Sequence, residues 1–209
     1  MQTPMSGDPF VTGASERSWR PRDSRFAGFA LVAALVAVMW VLEIVDLFAG
    51  DMDSAGIRPR DAEGLVGIAL APVLHIGFGH LASNTVPFLI LGMTIALSGL
   101  ARLVAVTAIV AVIGGLGTWL IAPTASVHLG ASGLVFGFAT YLIARGAFSR
   151  RVLHLVVGLV VLFVYGGTLL IGFVPTPGIS WQGHLFGAVG GVIAARLLDR
   201  GSQPSTAYA

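Results

Sequence analysis

Six apolar runs divide this chain, at about residues 26–48, 73–98, 101–122, 129–147, 152–173 and 182–198. Each approaches the roughly 20 residues with which an α-helix crosses about 30 Å of hydrocarbon. No repeat of fixed period is evident. The pattern predicts an all-α, polytopic membrane protein: one six-transmembrane-helix bundle over 26–199 with no soluble domain. Residues 1–25 and 200–209 are rich in Ser, Pro, Gly and Thr and read as disordered tails. The first run is too long for a signal-peptide core and has no convincing cleavage site, which predicts a retained span.

Composition agrees with the pattern. Of 209 residues, 56% are hydrophobic and 11% charged, against about 25% charged in a soluble domain. The absence of Cys excludes disulfides, thiolate catalysis and Cys-ligated metals. All 12 positive charges are Arg. They flank the apolar runs and form no stripe, so no nucleic-acid partner is expected.

Arginine placement predicts the orientation. Ten of the 12 fall in the N-terminal tail, the turns after the second and fourth runs, and the C-terminal end. Only Arg58 and Arg60 lie in the 49–72 segment, beside Asp51, Asp53, Asp61 and Glu63. The positive-inside rule puts both termini in the cytoplasm and the 49–72 segment outside. Glu43 and Asp46 are then interface residues at the outer end of the first span.

Three polar clusters interrupt the oily pattern: His75-Ile-Gly-Phe-Gly-His80-Leu-Ala-Ser-Asn84, Gly130-Ala-Ser132-Gly133 and Gly183-His184-Leu-Phe-Gly187. Polar side chains inside lipid are costly and mark function. In the predicted topology the second, fourth and sixth spans run outside to inside, and each carries one cluster near its outer end. Ser132 precedes Arg145 by 13 residues and His184 precedes Arg196 by 12. At about 1.5 Å per residue the two side chains sit at matched depth, roughly 18–20 Å above the inner boundary.

Serine is a weak nucleophile until a base takes its proton. His184 is the candidate base, and it returns the proton to the leaving amine. Apart from Asp199 at the cytoplasmic edge, no acidic residue lies inside spans two to six, so a Ser132-His184 dyad is expected rather than a triad. Gly133 and Gly137, and Gly183, Gly187 and Gly191, recur every four residues, the spacing that lets membrane helices approach closely. His80 and Asn84, four apart, share a helix face. Together with the Ser132 backbone N–H they are the candidate oxyanion donors.

Other polar residues read as structural. His128 lies in the outer loop before the serine and His154 at the start of the fifth span. Ser83, Ser98, Tyr141 and Tyr165 read as packing or interfacial residues. His75 has two bland roles open to it, holding the 49–72 loop or a neighbouring carbonyl. Rival chemistries lack their residues: there is no His-Glu-x-x-His, no pair of membrane-embedded Asp on facing spans, no Gly-x-Ser-x-Gly and no Walker loop. No metal and no cofactor is expected.

His-x4-His-x3-Asn, Gly-x-Ser-Gly and His-x2-Gly-x3-Gly stand in order on the second, fourth and sixth spans. In this the chain resembles the rhomboid family of intramembrane serine proteases, over roughly residues 26–198. The resemblance implies hydrolysis of a peptide bond in or beside a transmembrane segment of another membrane protein. By that likeness Ser132 is the nucleophile, His184 the base, His80 and Asn84 the oxyanion stabilisers and His75 their support. Gly130 and Gly133 then shape the oxyanion pocket. The 49–72 segment resembles the family's long first loop, partly embedded in the outer leaflet, and the six-span form fits the bacterial branch. Phe136 stands where the family often has Tyr, Gly183 where Ala is common before the histidine, and the Trp-Arg pair of the first loop is absent. The alternative is a rhomboid-like pseudoprotease that binds membrane clients without cleaving them. A small transporter fits less well, since the polar groups cluster on one side.

Overall fold

The computed structural model describes residues 21–199, and the side chains from Ser24 to Asp199. The expected tails lie outside the described residues, except that 21–25 begin the first helix. Six long helices stand close to the six apolar runs: α1 (Pro21–Ala49), α3 (Gly77–Ala96), α4 (Leu100–Ile121), α5 (Ser132–Ser149), α6 (Val152–Gly172) and α7 (Trp181–Asp199). A single-turn α2 (Gly67–Leu70) precedes α3, and no strand occurs among the described residues.

Four helices, α1, α3, α4 and α6, are long and apolar enough to cross a membrane by length and composition. α5 and α7 are less apolar because they carry small and polar residues such as Ser132, Thr140, Arg145, Gln182 and His184. They are also the helices most packed among the others: α5 lies against α3, α4, α6 and α7, and α7 against α4 and α5. A helix shielded by its neighbours has little need of an apolar surface. The outward faces are the reverse, with Phe163 90% and Phe48 87% exposed. So broad an apolar surface is suited to lipid rather than water. Together with the apolar helices, it makes this a membrane-embedded chain.

The core sits where α3, α4 and α5 meet, around Leu81, Phe88, Leu91, Ile95, Val106, Val110 and Phe138. Phe88 and Phe138 pack with ring centroids 5.5 Å apart. Between α5 and α7 the contact is backbone on backbone. A Cβ on Gly187 would strike the Gly133 carbonyl, and one on Gly191 the Gly137 carbonyl and the Thr140 hydroxyl. Thr140 Oγ1 reaches the Ala188 carbonyl at 2.9 Å, a hydrogen bond across the same seam. Gly191→Ala is therefore expected to lower unfolding stability in detergent by about 1–3 kcal/mol, the usual cost of overpacking. Thermal unfolding of the purified variant checks this.

The 49–72 segment is folded rather than open loop. It contains short 3₁₀ turns at Met52–Ala55 and Glu63–Leu65, followed by α2 and a further turn at Ala71–Val73. Arg58 pairs with Asp61 at 2.6 Å and Glu63 at 2.9 Å. The Arg58 hydrogen bond holds the Asp61 carboxyl below its usual range. Arg60 donates to the Leu120 carbonyl at 2.7 Å, and Trp119 Nε1 to the Asp61 carbonyl at 2.8 Å, pinning the segment to the end of α4. Glu43 is buried among protein atoms rather than surface-facing, with Oε2 making no hydrogen bond. Asp46 accepts the Met52 N–H at 2.8 Å.

The opposite end is held by charge. Asp199, 3% exposed, meets Arg145 and Arg102, each at 3.2 Å, and accepts the Tyr141 hydroxyl at 3.2 Å. Arg145 also donates to Ser98 at 2.8 Å, and Arg102 to the Leu198 carbonyl at 2.8 Å. Ser98 and Tyr141, expected as packing residues, are members of this network.

Candidate active site

Ser132 is the first residue of α5 and His184 the fourth of α7. The glycine seam between these helices brings Ser132 Oγ to 2.9 Å from His184 Nε2. The other ring nitrogen, Nδ1, lies 2.9 Å from the carbonyl of Gly172, the last residue of α6. A carbonyl only accepts, so Nδ1 carries the proton and Nε2 is left as a lone pair. The serine hydroxyl therefore donates to Nε2, the direction that makes a histidine a general base.

The Gly172 carbonyl thus orients the imidazole and selects its tautomer, the tasks a carboxylate performs in a triad. Carbonyls in the last turn of a helix have no partner within it, which leaves this one available. The negative end of the α6 dipole also favours positive charge as it develops on the ring. Phe136 stacks on one face of His184, with centroids 4.1 Å apart and planes 8° apart. A Cβ at Gly172 would strike Phe136 and come within 3.0 Å of His184 Nδ1, so this carbonyl can approach only from a glycine.

Ser132, His184, His80, Asn84 and Phe136 line a common cavity of about 900 Å³. His80 and Asn84 lie on one face of α3, and Asn84 Nδ2 donates to the His80 carbonyl at 3.1 Å. That bond uses one of the two amide protons. The His80 ring covers Gly130, whose φ of +110° disfavours any side chain and whose added Cβ would lie 2.6 Å from the ring. Gly133 faces the Gly183 carbonyl, which a Cβ would meet at 3.3 Å.

The amides leading into α5 are engaged one by one. Gly130 N–H donates to the Ala71 carbonyl at 2.8 Å, and Ala131 N–H to His75 Nε2 at 3.3 Å. Ser132 N–H comes next, at the helix start, with no carbonyl one turn behind it. His75 is buried edge-on to His80, ring centroids 5.2 Å apart. Through its bond from the Ala131 N–H it holds the backbone beside the serine.

Two groups at the site were not legible in advance. The Gly172 carbonyl is main chain and leaves no residue signature. His128, expected as a structural loop residue, lines the same cavity. His154 has a local partner, the Ser149 hydroxyl at 2.8 Å.

Known proteins resemble this chain in sequence. The sequence model of the Rhomboid domain matches residues 62–200. An uncharacterized protein of Mycobacterium tuberculosis is 45% identical over 198 residues, covering 90% of this chain and 81% of that protein. An uncharacterized Mycobacterium leprae protein is 44% identical over 182 residues, covering 82% and 72%. A Bacillus subtilis protein provisionally named a rhomboid protease is 29% identical over 126 residues, covering 60% and 63%. On the domain match and the extent of these likenesses, the chain belongs to the rhomboid family, whose general activity is intramembrane serine proteolysis.

Proposed function

We propose that this chain is an intramembrane serine endopeptidase that cleaves membrane-protein substrates in or beside a transmembrane segment. The 2.9 Å contact of Ser132 Oγ with a His184 Nε2 freed by the Gly172 carbonyl carries this reading. Ser132 attacks the scissile carbonyl while His184 takes its proton. His184 then returns that proton to the leaving amine, and water releases the acyl group by the reverse sequence. The Ser132 N–H, the second amide proton of Asn84 and the His80 ring stabilise the oxyanion. His75 holds the backbone that presents the amide.

Residues 26–199 form the protease domain, and α5 and α7 complete six spans with both termini in the cytoplasm. The arginine distribution supports this orientation, with the cavity opening to the extracytoplasmic side. Leu65, Val66 and Leu70, apolar and exposed, support partial insertion of the 49–72 segment in the outer leaflet.

The test is cleavage of a single-span substrate in detergent, together with labelling by a fluorophosphonate that reacts with activated serines. Label on wild type that is lost in Ser132→Ala supports the assignment. Cleavage that survives Ser132→Ala overturns it. Absence of both label and cleavage favours a client-binding role instead, whereas label without cleavage points to a substrate of the wrong kind. Asn84→Ala is expected to lower kcat by about 10²–10³, the usual cost of one oxyanion donor. Steady-state kinetics with KM held in view checks this.

A further inference from the structure

His128 has no part in the chemistry above, yet it connects the two strands of chain that carry it. Its Nε2 lies 2.8 Å from Ser126 Oγ and its Nδ1 2.7 Å from Ser180 Oγ. Its backbone pairs with Ile57 in both directions, at 2.8 and 3.0 Å. Bond directions follow from the far ends. Ser126 donates its one hydroxyl proton to the Pro123 carbonyl, so it accepts from His128, and Nε2 carries the hydrogen. Nδ1 is then a lone pair and accepts the Ser180 hydroxyl proton.

Ser180 Oγ in turn accepts the Gly183 N–H at 3.3 Å, while the Ser180 carbonyl accepts the His184 N–H at 3.0 Å. Ser180 stands immediately before α7, and its hydroxyl on the third amide is the bond of a helix N-cap. One directed relay thus runs from Gly183 N–H through Ser180, His128 and Ser126 to the Pro123 carbonyl. Burial lowers the His128 pKa below the usual histidine range, which keeps the ring neutral, as an acceptor at Nδ1 requires.

We propose that His128 is a positioning residue: it clamps the cap of α7 to the loop leading into Ser132 and so holds His184 against the serine. The role rests on the Ser132-His184 assignment made above. A phenylalanine at 128 fills the ring's space but leaves the Ser180 proton without an acceptor and Ser126 without a donor. A purely space-filling role predicts no loss in that variant.

The test compares wild type, His128→Phe, His128→Gln and Ser180→Ala by amide hydrogen exchange, by fluorophosphonate labelling rate and by cleavage kinetics. In His128→Phe, which leaves the capping hydroxyl unheld, exchange over the first turn of α7 rises by up to about fivefold, the factor a fully lost cap would give, while α4 and the body of α5 are unchanged. Labelling and kcat fall about tenfold or more with KM unchanged, since small misplacement of a base is costly. His128→Gln, with an amide donor and a carbonyl acceptor, recovers part of the rate. Ser180→Ala repeats the loss, and combining it with His128→Phe adds little, as expected of partners in one network. Wild-type labelling in His128→Phe overturns the role, as does exchange that rises evenly through the bundle. A wild-type chain that never labels at Ser132 removes the dyad assignment itself. Exchange then still decides the clamp, which falls if His128→Phe leaves the first turn of α7 unchanged.

Discussion

His184→Ala and Ser132→Ala are each expected to reduce kcat to the floor of the assay, and the double variant no further. The reason lies in the shared proton. Without the imidazole the Ser132 hydroxyl has no acceptor at 2.9 Å, and without the serine the base has nothing to deprotonate. Groups that act as one unit are non-additive: in subtilisin, loss of the serine or the histidine alone costs about 10⁶ in kcat, close to the loss of all three triad members. His184→Gln is expected to match His184→Ala, because a carboxamide cannot serve as the base. Phe136→Tyr, in contrast, keeps the stack on His184 and leaves kcat within a few-fold. A double variant markedly slower than either single one counts against a common step. Initial rates on a single-span substrate, with circular dichroism to confirm the fold, decide it.

Asp199→Asn is expected to cost about 3–5 kcal/mol of stability, the usual result of removing one partner from a buried charge network. Asp199 is a carboxylate shared by Arg145 and Arg102, and its loss removes that partner from both guanidinium groups. Arg102→Gln is expected to cost less, because its side chain is 25% exposed against 10% for Arg145 and solvent screens the charge. The site lies at the opposite end of α5 and α7 from Ser132 and His184. The losses should therefore appear in the unfolding midpoint before they appear in the rate at low temperature. Equal midpoints for Asp199→Asn and wild type would show that the network contributes nothing.

The meeting of Ser132 and His184 was legible because hydroxyl and imidazole are conspicuous among apolar neighbours, and the helix rise set the two residues at one depth. The glycine spacing around them was legible for a related reason, since only small residues permit close backbones. What the sequence withheld is main chain or distant. The Gly172 carbonyl has no side-chain signature, and its role depends on where α6 ends. Arg145 and Asp199 read singly as markers of the inner boundary, because nothing local joins residues 54 apart in the chain. His128 read as a loop residue because its partner Ser180 lies 52 residues away. The six runs foretold six helices, but α5 and α7 are less apolar than the rest, since small and polar residues line the faces they pack on their neighbours.

The seam between α5 and α7 also limits how the protein can be repaired. At the α4–α7 contact, by comparison, a bulky residue at Gly117 would meet the Phe186 ring, and a smaller residue at 186 offers a route to suppression. A side chain at Gly187 meets the backbone of Gly133, and one at Gly191 meets the carbonyl of Gly137. No second-site exchange can shorten a peptide bond. A screen for revertants should therefore recover compensating changes for Gly117 variants, and for Gly187 and Gly191 little besides restoration of glycine.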